Sequence, residues 1–252
     1  MDRTGRAPGG PGKLVRGLVV LVNYEQEQEI AHFLDRFIHH NPGLDVVLVD
    51  DGSRDRSPDI AESYGLKVLR HERNLGVGSA VRTGITYARE RGGFGYVVIM
   101  SSNGKMHPEE MPRVIGPILD GEADYVQGSR FRNGGRSLSL SAFRSFAIAA
   151  YSLIASTILR RRFTDITCGF RAYRLDIFDH PEVNLDQDWL NRYEAELYIH
   201  YYACRLGLRI REVPVTIDYS HLSHGRKSKM QAFTGWWSLA RPFLLLAFGL
   251  RR

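Results

Sequence analysis

Cysteine is almost absent. The 252 residues hold two, Cys168 and Cys204, at no metal-ligand spacing and too few for a disulfide framework. The chain therefore reads as one that folds without covalent staples in a reducing compartment. Long uninterrupted apolar runs are also missing: Ala142 to Leu159 carries Arg144 and several serines, and Trp236 to Leu250 is broken by Arg241 and Pro242. A spanning helix needs about 20 largely apolar residues, so neither stretch qualifies well, although either can lie on a membrane surface. Met1 to Lys13 is rich in Gly, Pro and Arg with no apolar core, which argues against a signal peptide and for a disordered segment over residues 1–13. No helix-turn-helix or RNA-binding signature accompanies the basic residues, and nucleic acid is not an expected partner.

What is present suits a folded α/β chain. Hydrophobic residues make up 43% of the sequence, enough for a sizeable core in one large domain or two small ones. The formal charge of +6 comes from arginine-heavy clusters such as Arg160-Arg161-Arg162 and Arg251-Arg252. That balance favours phosphate-bearing partners: a nucleotide, a lipid phosphate or an anionic membrane surface.

The stretch that organises the pattern is Val46-Val47-Leu48-Val49-Asp50-Asp51-Gly52-Ser53. An apolar run without alternation reads as a strand buried on both faces, and its carboxylates then stand at the carboxyl end, where open α/β sheets bind ligands. Leu14 to Val22, ending in Asn23-Tyr24-Glu25, and Tyr96 to Met100, ending in Ser101-Ser102-Asn103-Gly104-Lys105, read the same way, with shorter strands at Leu66 to Leu69 and Asp124 to Gln127. Between them, Ile30, Phe33, Leu34, Phe37 and Ile38 mark one face of a helix over residues 27–39, and Ser79 to Arg89 predicts another behind the Asn74-Leu75-Gly76 turn. Alternating strands and helices imply βαβ units and a mainly parallel sheet with helices on both faces. The strand ends carrying Tyr24-Glu25, Asp50-Asp51 and Ser101 to Lys105 should converge on one edge. Read locally, Asp-Asp-Gly-Ser is equally a polar turn that caps the next helix, and Asp165 a helix cap.

Taken together the pieces resemble the family 2 glycosyltransferases of GT-A fold, and among them the polyprenyl-phosphate hexose synthases. The matching residues are Tyr24-Glu25, Val49 to Ser53, Asn74-Leu75-Gly76 with Ala80 and Gly84, Pro108-Glu109, Gly128-Ser129-Arg130-Phe131, Thr164-Asp165 with Cys168 to Tyr173, Glu194 with Glu196, Glu212 to Val215, and Gly225 to Lys229. The resemblance implies a glycosyltransferase domain over residues 14–230, followed by an apolar, basic C-terminal segment over residues 231–252 that can rest on a membrane. It implies that Tyr24, Glu25, Asp50, Asp51, Gly76, Ser101, Ser102 and Asn103 face a nucleotide-sugar donor, with Asp51 on the base. Arg130, Arg171 and Asp165 are then the catalytic candidates, Asp165 matching the acid that some members use as base. Ser129, Gly169, Phe170, Glu194, Glu196 and Lys229 fall on the acceptor side.

One departure bears on the chemistry. Where the family usually has Asp-x-Asp for a divalent cation, this chain has Ser101-Ser102-Asn103. A hydroxyl and an amide supply no charge to Mg²⁺ or Mn²⁺, which leaves Asn103 as the one metal candidate there and weakens any dependence on a divalent cation. Lys105, two residues on, can act as a point charge on the diphosphate and joins the catalytic candidates. His107, His221 and His224 read as loop histidines. The expected activity is inverting transfer of a hexose or N-acetylhexosamine, UDP being the favoured nucleotide carrier, to a polyprenyl phosphate in the cytoplasm or at the inner face of the membrane. A soluble small-molecule acceptor and a nucleotide-sugar-binding pseudoenzyme are the alternatives.

Overall fold

The computed structural model describes residues 16–220 together with Arg241, Pro242 and Leu245. The segments 1–13 and most of 231–252, Lys229, His221 and His224 lie outside the described residues. Within the described residues 16–220, nine strands and six α-helices follow in chain order: β1 Gly17–Asn23, α1 Ile30–His40, β2 Asp45–Asp50, α2 Ser57–Ser63, β3 Lys67–Arg70, α3 Val77–Arg91, β4 Tyr96–Ser101, α4 Met111–Leu119, β5 Tyr125–Ser129, β6 Arg136–Leu138, α5 Ala142–Leu159, β7 Arg171–Arg174, α6 Glu194–Arg205, β8 Ile210–Pro214 and β9 Thr216–Asp218. Seven strands form the central sheet in the order β3-β2-β1-β4-β7-β5-β8, while β6 and β9 pair separately.

β1, β2, β3 and β4 are mutually parallel, and the apolar runs of β1, β2 and β4 are those of parallel strands covered on both faces. Helices cover both faces, and two cores result. One gathers Val20, Val49 and Ile99 with residues of α3, α5 and α6, the other gathers Leu21, Leu48 and Val98 with α1 and α4. In α1 the faces follow the sequence pattern through Ile30, Phe33, Leu34 and Phe37, all buried, but Ile38 is 49% exposed. Eight residues of helix rotate it about 80° away from Ile30, past the edge of the covered stripe. α3 approaches β1 closely: a Cβ at Gly84 would drive into the Val20 side chain.

The departure from a parallel sheet is β7, which runs antiparallel between β4 and β5. It starts beside the carboxyl end of β4, with Arg171 opposite both Ile99 and Gln127. The loop that precedes it is thereby delivered to the edge where β1, β2 and β4 end. On β8, Glu212 stands opposite Gln127, so Glu212, Gln127 and Arg171 form one row across three neighbouring strands.

Deep in the α6 side, His200 is fully buried with its ring 2.9 Å from Tyr125 Oη and edge-on to Phe163. Burial, reinforced by the positive charge of Arg171, pulls its pKa well below the ordinary histidine value. Between pH 7.5 and 5.5 the unfolded chain therefore gains a proton on this residue that the folded chain refuses. Stability should fall by about 1.4 kcal/mol per pH unit below about pH 6.5 from this group alone. Thermal melts of wild type and His200→Gln across that range check this, with the variant expected to show the shallower slope.

Candidate active site

The strand ends meet through Asn23. Its amide donates to Asp50 Oδ1 at 2.8 Å and Ser57 Oγ at 2.9 Å, while its carbonyl oxygen accepts from Ser102 Oγ at 2.7 Å. One side chain thus ties the ends of β1, β2 and β4 together. Asp50 also receives the backbone amide and hydroxyl of Ser53 and is fully buried, as is Ser102. Both were expected to face the donor. They are instead enclosed by protein and hold the platform beneath it, because a buried carboxylate is stable only when its lone pairs are filled.

Asp51 turns the other way, toward the loop before α3. Its Oδ1 accepts from the Leu75 amide and from His71 Nδ1, both at 2.9 Å, and its Oδ2 from the Gly76 amide at 2.8 Å. Three of the roughly four acceptor positions of a carboxylate are used, and one on Oδ2 remains. Gly52 follows at φ 71°, and a Cβ there would collide with the Arg73 backbone, so glycine is required twice over. Glu25 holds a left-handed φ of 49°, pinned by its amide to Ser53 Oγ at 2.9 Å. Such a conformation in a non-glycine residue is strained and is kept where surrounding contacts fix it. Beside it, partial burial and the Glu25 carboxylate raise the pKa of the Tyr24 phenol, keeping it a neutral donor.

The turn after β4 does not fit a divalent cation held by the protein. Ser102 Oγ is committed to Asn23, Asn103 Oδ1 accepts the Lys105 amide at 3.2 Å, and Ser101 is half-buried at the strand end. No carboxylate belongs to it, and no cluster of three or more metal-ligating side chains occurs among the described residues. Asn103 is left as a turn-forming residue rather than a ligand.

Across the site, Arg130 and Asp165 form a buried bidentate pair. Nε donates to Oδ2 at 2.6 Å and Nη2 to Oδ1 at 2.7 Å, the Arg130 amide adds a third bond at 3.1 Å, and Thr167 Oγ1 adds a fourth at 3.1 Å. All four acceptor positions of Asp165 are filled, and it is fully buried. The expected base is therefore a positioning residue, since no lone pair is left to take an acceptor proton. Burial opposes the charge on Arg130, but Asp165 outweighs it and drives the net pKa upward.

The loop carrying Asp165 is gripped from below by the row across β8, β5 and β7. Glu212 accepts the amides of Thr164 and Asp165 at 2.8 and 3.0 Å, Gln127 donates to the carbonyls of Asp165 and Cys168, and Arg171 donates to those of Cys168 and Ile166. Arg171 was expected among the catalytic residues. It is 1% exposed, ion-paired to Glu196 at 3.2 Å, and supports the loop instead. Phe170 is buried among apolar residues, and Ser129 is buried with its hydroxyl on Thr164 and the Phe131 amide. Neither reaches an acceptor. Glu196 keeps 14% side-chain exposure next to Gly169, whereas Glu194 is 5% exposed, so of the acceptor-side acids only Glu196 borders open space.

Three cations converge on Tyr219, just beyond β9. Arg130 Nη1 donates to its hydroxyl at 2.8 Å, and Lys105 Nζ and the Arg144 guanidinium each lie 5.4 Å from its ring centroid. Four of the five Arg130 donors are committed to Asp165, Thr167 and Tyr219. Burial raises the Tyr219 pKa, the arginines opposing, so it remains a phenol that spaces the cations without neutralising them. Sequence reasoning missed Arg144, Tyr219, Asn23 and Gln127. Glu212 lay within a recognised motif without a role.

Strand ends joined at the carboxyl edge of a mainly parallel sheet, with the cations Lys105, Arg130 and Arg144 gathered at Tyr219, make the layout expected of a nucleotide-sugar transferase. The comparisons agree: residues 18–180 match the model of Glycosyl transferase family 2, and the chain belongs to that family. It is 32% identical over 219 residues to an undecaprenyl-phosphate mannosyltransferase of Micrococcus luteus, covering 85% of this chain and 88% of that one. It is 26% identical to a polyprenol monophosphomannose synthase of Mycolicibacterium smegmatis, covering 84% and 81%. In fold it is similar, at TM-score 0.67 and 19% identity, to glucosyl-3-phosphoglycerate synthase from Mycobacterium tuberculosis in complex with Mn²⁺, UDP and glucosyl-3-phosphoglycerate, covering 94% and 81%.

Asp165→Asn should leave Arg130 buried against a neutral partner, lowering stability by about 3–5 kcal/mol and reducing kcat. The shape of the pH–rate profile should not change. Loss of its acid limb in the variant would restore Asp165 as the base.

Proposed function

We propose that this glycosyltransferase moves a hexose, with inversion, from a nucleoside-diphosphate sugar to a polyprenyl phosphate. The observation that carries the reading is the convergence of Lys105, Arg130 and Arg144 on Tyr219 while Asp165 is saturated. An acceptor that is already an anion needs cations to hold it and no base to deprotonate it. A phosphate oxygen of the acceptor attacks the anomeric carbon, and the bond to the donor diphosphate breaks with its electron pair leaving on the nucleotide. Negative charge builds on that leaving group, where the Lys105 ammonium lowers the barrier most. The UDP in the similar fold makes UDP the first carrier to try. The names of the two relatives make mannose the first sugar to try. The Mn²⁺ in the similar fold keeps a substrate-held cation in the experiment, although the Ser101-Ser102-Asn103 turn offers it no carboxylate.

Labelled UDP- and GDP-sugars incubated with undecaprenyl phosphate in detergent, with EDTA or with Mn²⁺, test this. The expected product is a lipid-linked sugar formed in EDTA as well as in Mn²⁺, with Lys105→Ala cutting the EDTA rate about tenfold or more. Silencing by EDTA with rescue by Mn²⁺ would overturn the role given to Lys105. Transfer only to a water-soluble acceptor would establish the soluble-acceptor reading, and donor binding without any transfer would make the chain a pseudoenzyme.

A further inference from the structure

The turn after β4 is closed on itself. Ser102 donates its amide to the Val22 carbonyl at 3.0 Å and its hydroxyl to Asn23, and Gly104 turns the chain at φ 73°. The Lys105 amide is held by Asn103 Oδ1 at 3.2 Å, and the Lys105 carbonyl by the Asp218 amide at 2.8 Å. Met106 then bridges to Ile217 on β9 and receives the Ser101 amide on its sulfur at 3.4 Å. Lys105 is thus fixed at its backbone on both sides, between the end of β4 and β9. Its ammonium stands 5.4 Å from the centroid of the Tyr219 ring, on whose hydroxyl Arg130 is seated.

The charge gathered here has the sign of a metal ion, not of a metal site. A protein retains a divalent cation on a diphosphate by offering it anionic oxygens. The acids of the site are turned elsewhere. Asp165 is saturated by Arg130 and Thr167, Asp51 faces the loop before α3, and Glu25 faces the Tyr24 phenol. Asp218 alternates with Tyr219 along the chain and lines instead a cavity of about 420 Å³ against α1, with Glu29 and His32. A metal ion carried in on the donor would therefore meet Lys105, Arg130 and Arg144, and no carboxylate of the turn. Like charges repel most strongly where protein displaces water. An ammonium and a divalent cation would also compete for the same diphosphate oxygens.

We propose that the donor is taken without a metal ion: the substrate is the uncomplexed nucleoside-diphosphate sugar, and a divalent cation antagonises it by holding the oxygens that Lys105 would bind. This rests on the reading of Lys105 as the countercharge of the diphosphate, and donor binding tests it apart from the acceptor. The full chain is titrated calorimetrically with UDP and with GDP, and the tighter of the two is carried forward in EDTA and in excess Mg²⁺. Mg²⁺ should weaken the wild-type affinity about tenfold or more. Lys105→Arg should keep both the affinity in EDTA and the Mg²⁺ penalty. Ser101→Asp/Asn103→Asp should reverse the sign, so that Mg²⁺ tightens binding. The matching nucleoside, which lacks the diphosphate, should bind equally in both buffers. Wild-type binding that is tightened or unchanged by Mg²⁺, a nucleoside affinity that falls in parallel, or binding of neither diphosphate would each overturn the proposal. Lys105→Ala with undiminished affinity in EDTA, at an unchanged melting temperature, would overturn the reading beneath it as well. Antagonism by Mg²⁺ in a chain that forms no lipid-linked sugar would retain the metal-free donor and remove the acceptor.

Discussion

The acceptor half of the site depends on one buried ion pair, Arg130 with Asp165. Taking both charges out of water costs several kcal/mol, and their attraction offsets this only with good geometry and every remaining hydrogen-bonding position filled. Both conditions hold: the pair is bidentate, and Thr167, Tyr219 and the Arg130 amide complete it. The cradle below makes that geometry reproducible. Glu212, Gln127 and Arg171 stand opposite one another on β8, β5 and β7, and each fixes backbone groups of the loop that carries Asp165. Burial raises the pKa of Glu212, the loop amides opposing it, which is the mark of a carboxylate kept in place by the groups it binds.

The donor half is built from the same kind of constraint at the opposite end of the edge. Asn23 couples three strand ends, and Asp51 clamps the loop that opens α3, so these strand ends are fixed before any ligand arrives. Under the proposed transfer, Arg130 and Arg144 hold an acceptor that is already an anion, and Lys105 stands ready for the charge that develops on the leaving group, at no reorganisation cost. α5 links that cluster to the core. Its inner face belongs to the core and its first turn, through Arg144, to the site.

Much of this was legible in the sequence because the signals were local. The unbroken runs of β1, β2 and β4, the apolar stripe of α1 and the glycine turn before α3 each declare themselves within about ten residues. β7 did not: Arg171-Ala172-Tyr173-Arg174 is four residues with charged ends, and only its placement between β4 and β5 makes it a strand. The same limit explains the misread side chains. Asp50, Ser102, Ser129 and Arg171 are residue types that bind ligands, but a sequence does not show that their hydrogen bonds are already spent on partners 27 to 79 positions away in several cases. Asp165 was a base candidate through the family resemblance, and its filled acceptor positions are equally invisible in the sequence. Tyr219 and Arg144 went unread because no motif surrounds them, and their role arises from what converges on them.

The central claim is that Arg130 and Asp165 act as one unit, Asp165 only by holding Arg130. A double-mutant cycle on kcat/KM tests it directly, with Arg130→Ala, Asp165→Ala and the double variant measured against the wild type at saturating donor. The account predicts that the double variant loses no more activity than the worse single variant. Losses that add in free energy would show two independent catalytic groups and contradict it.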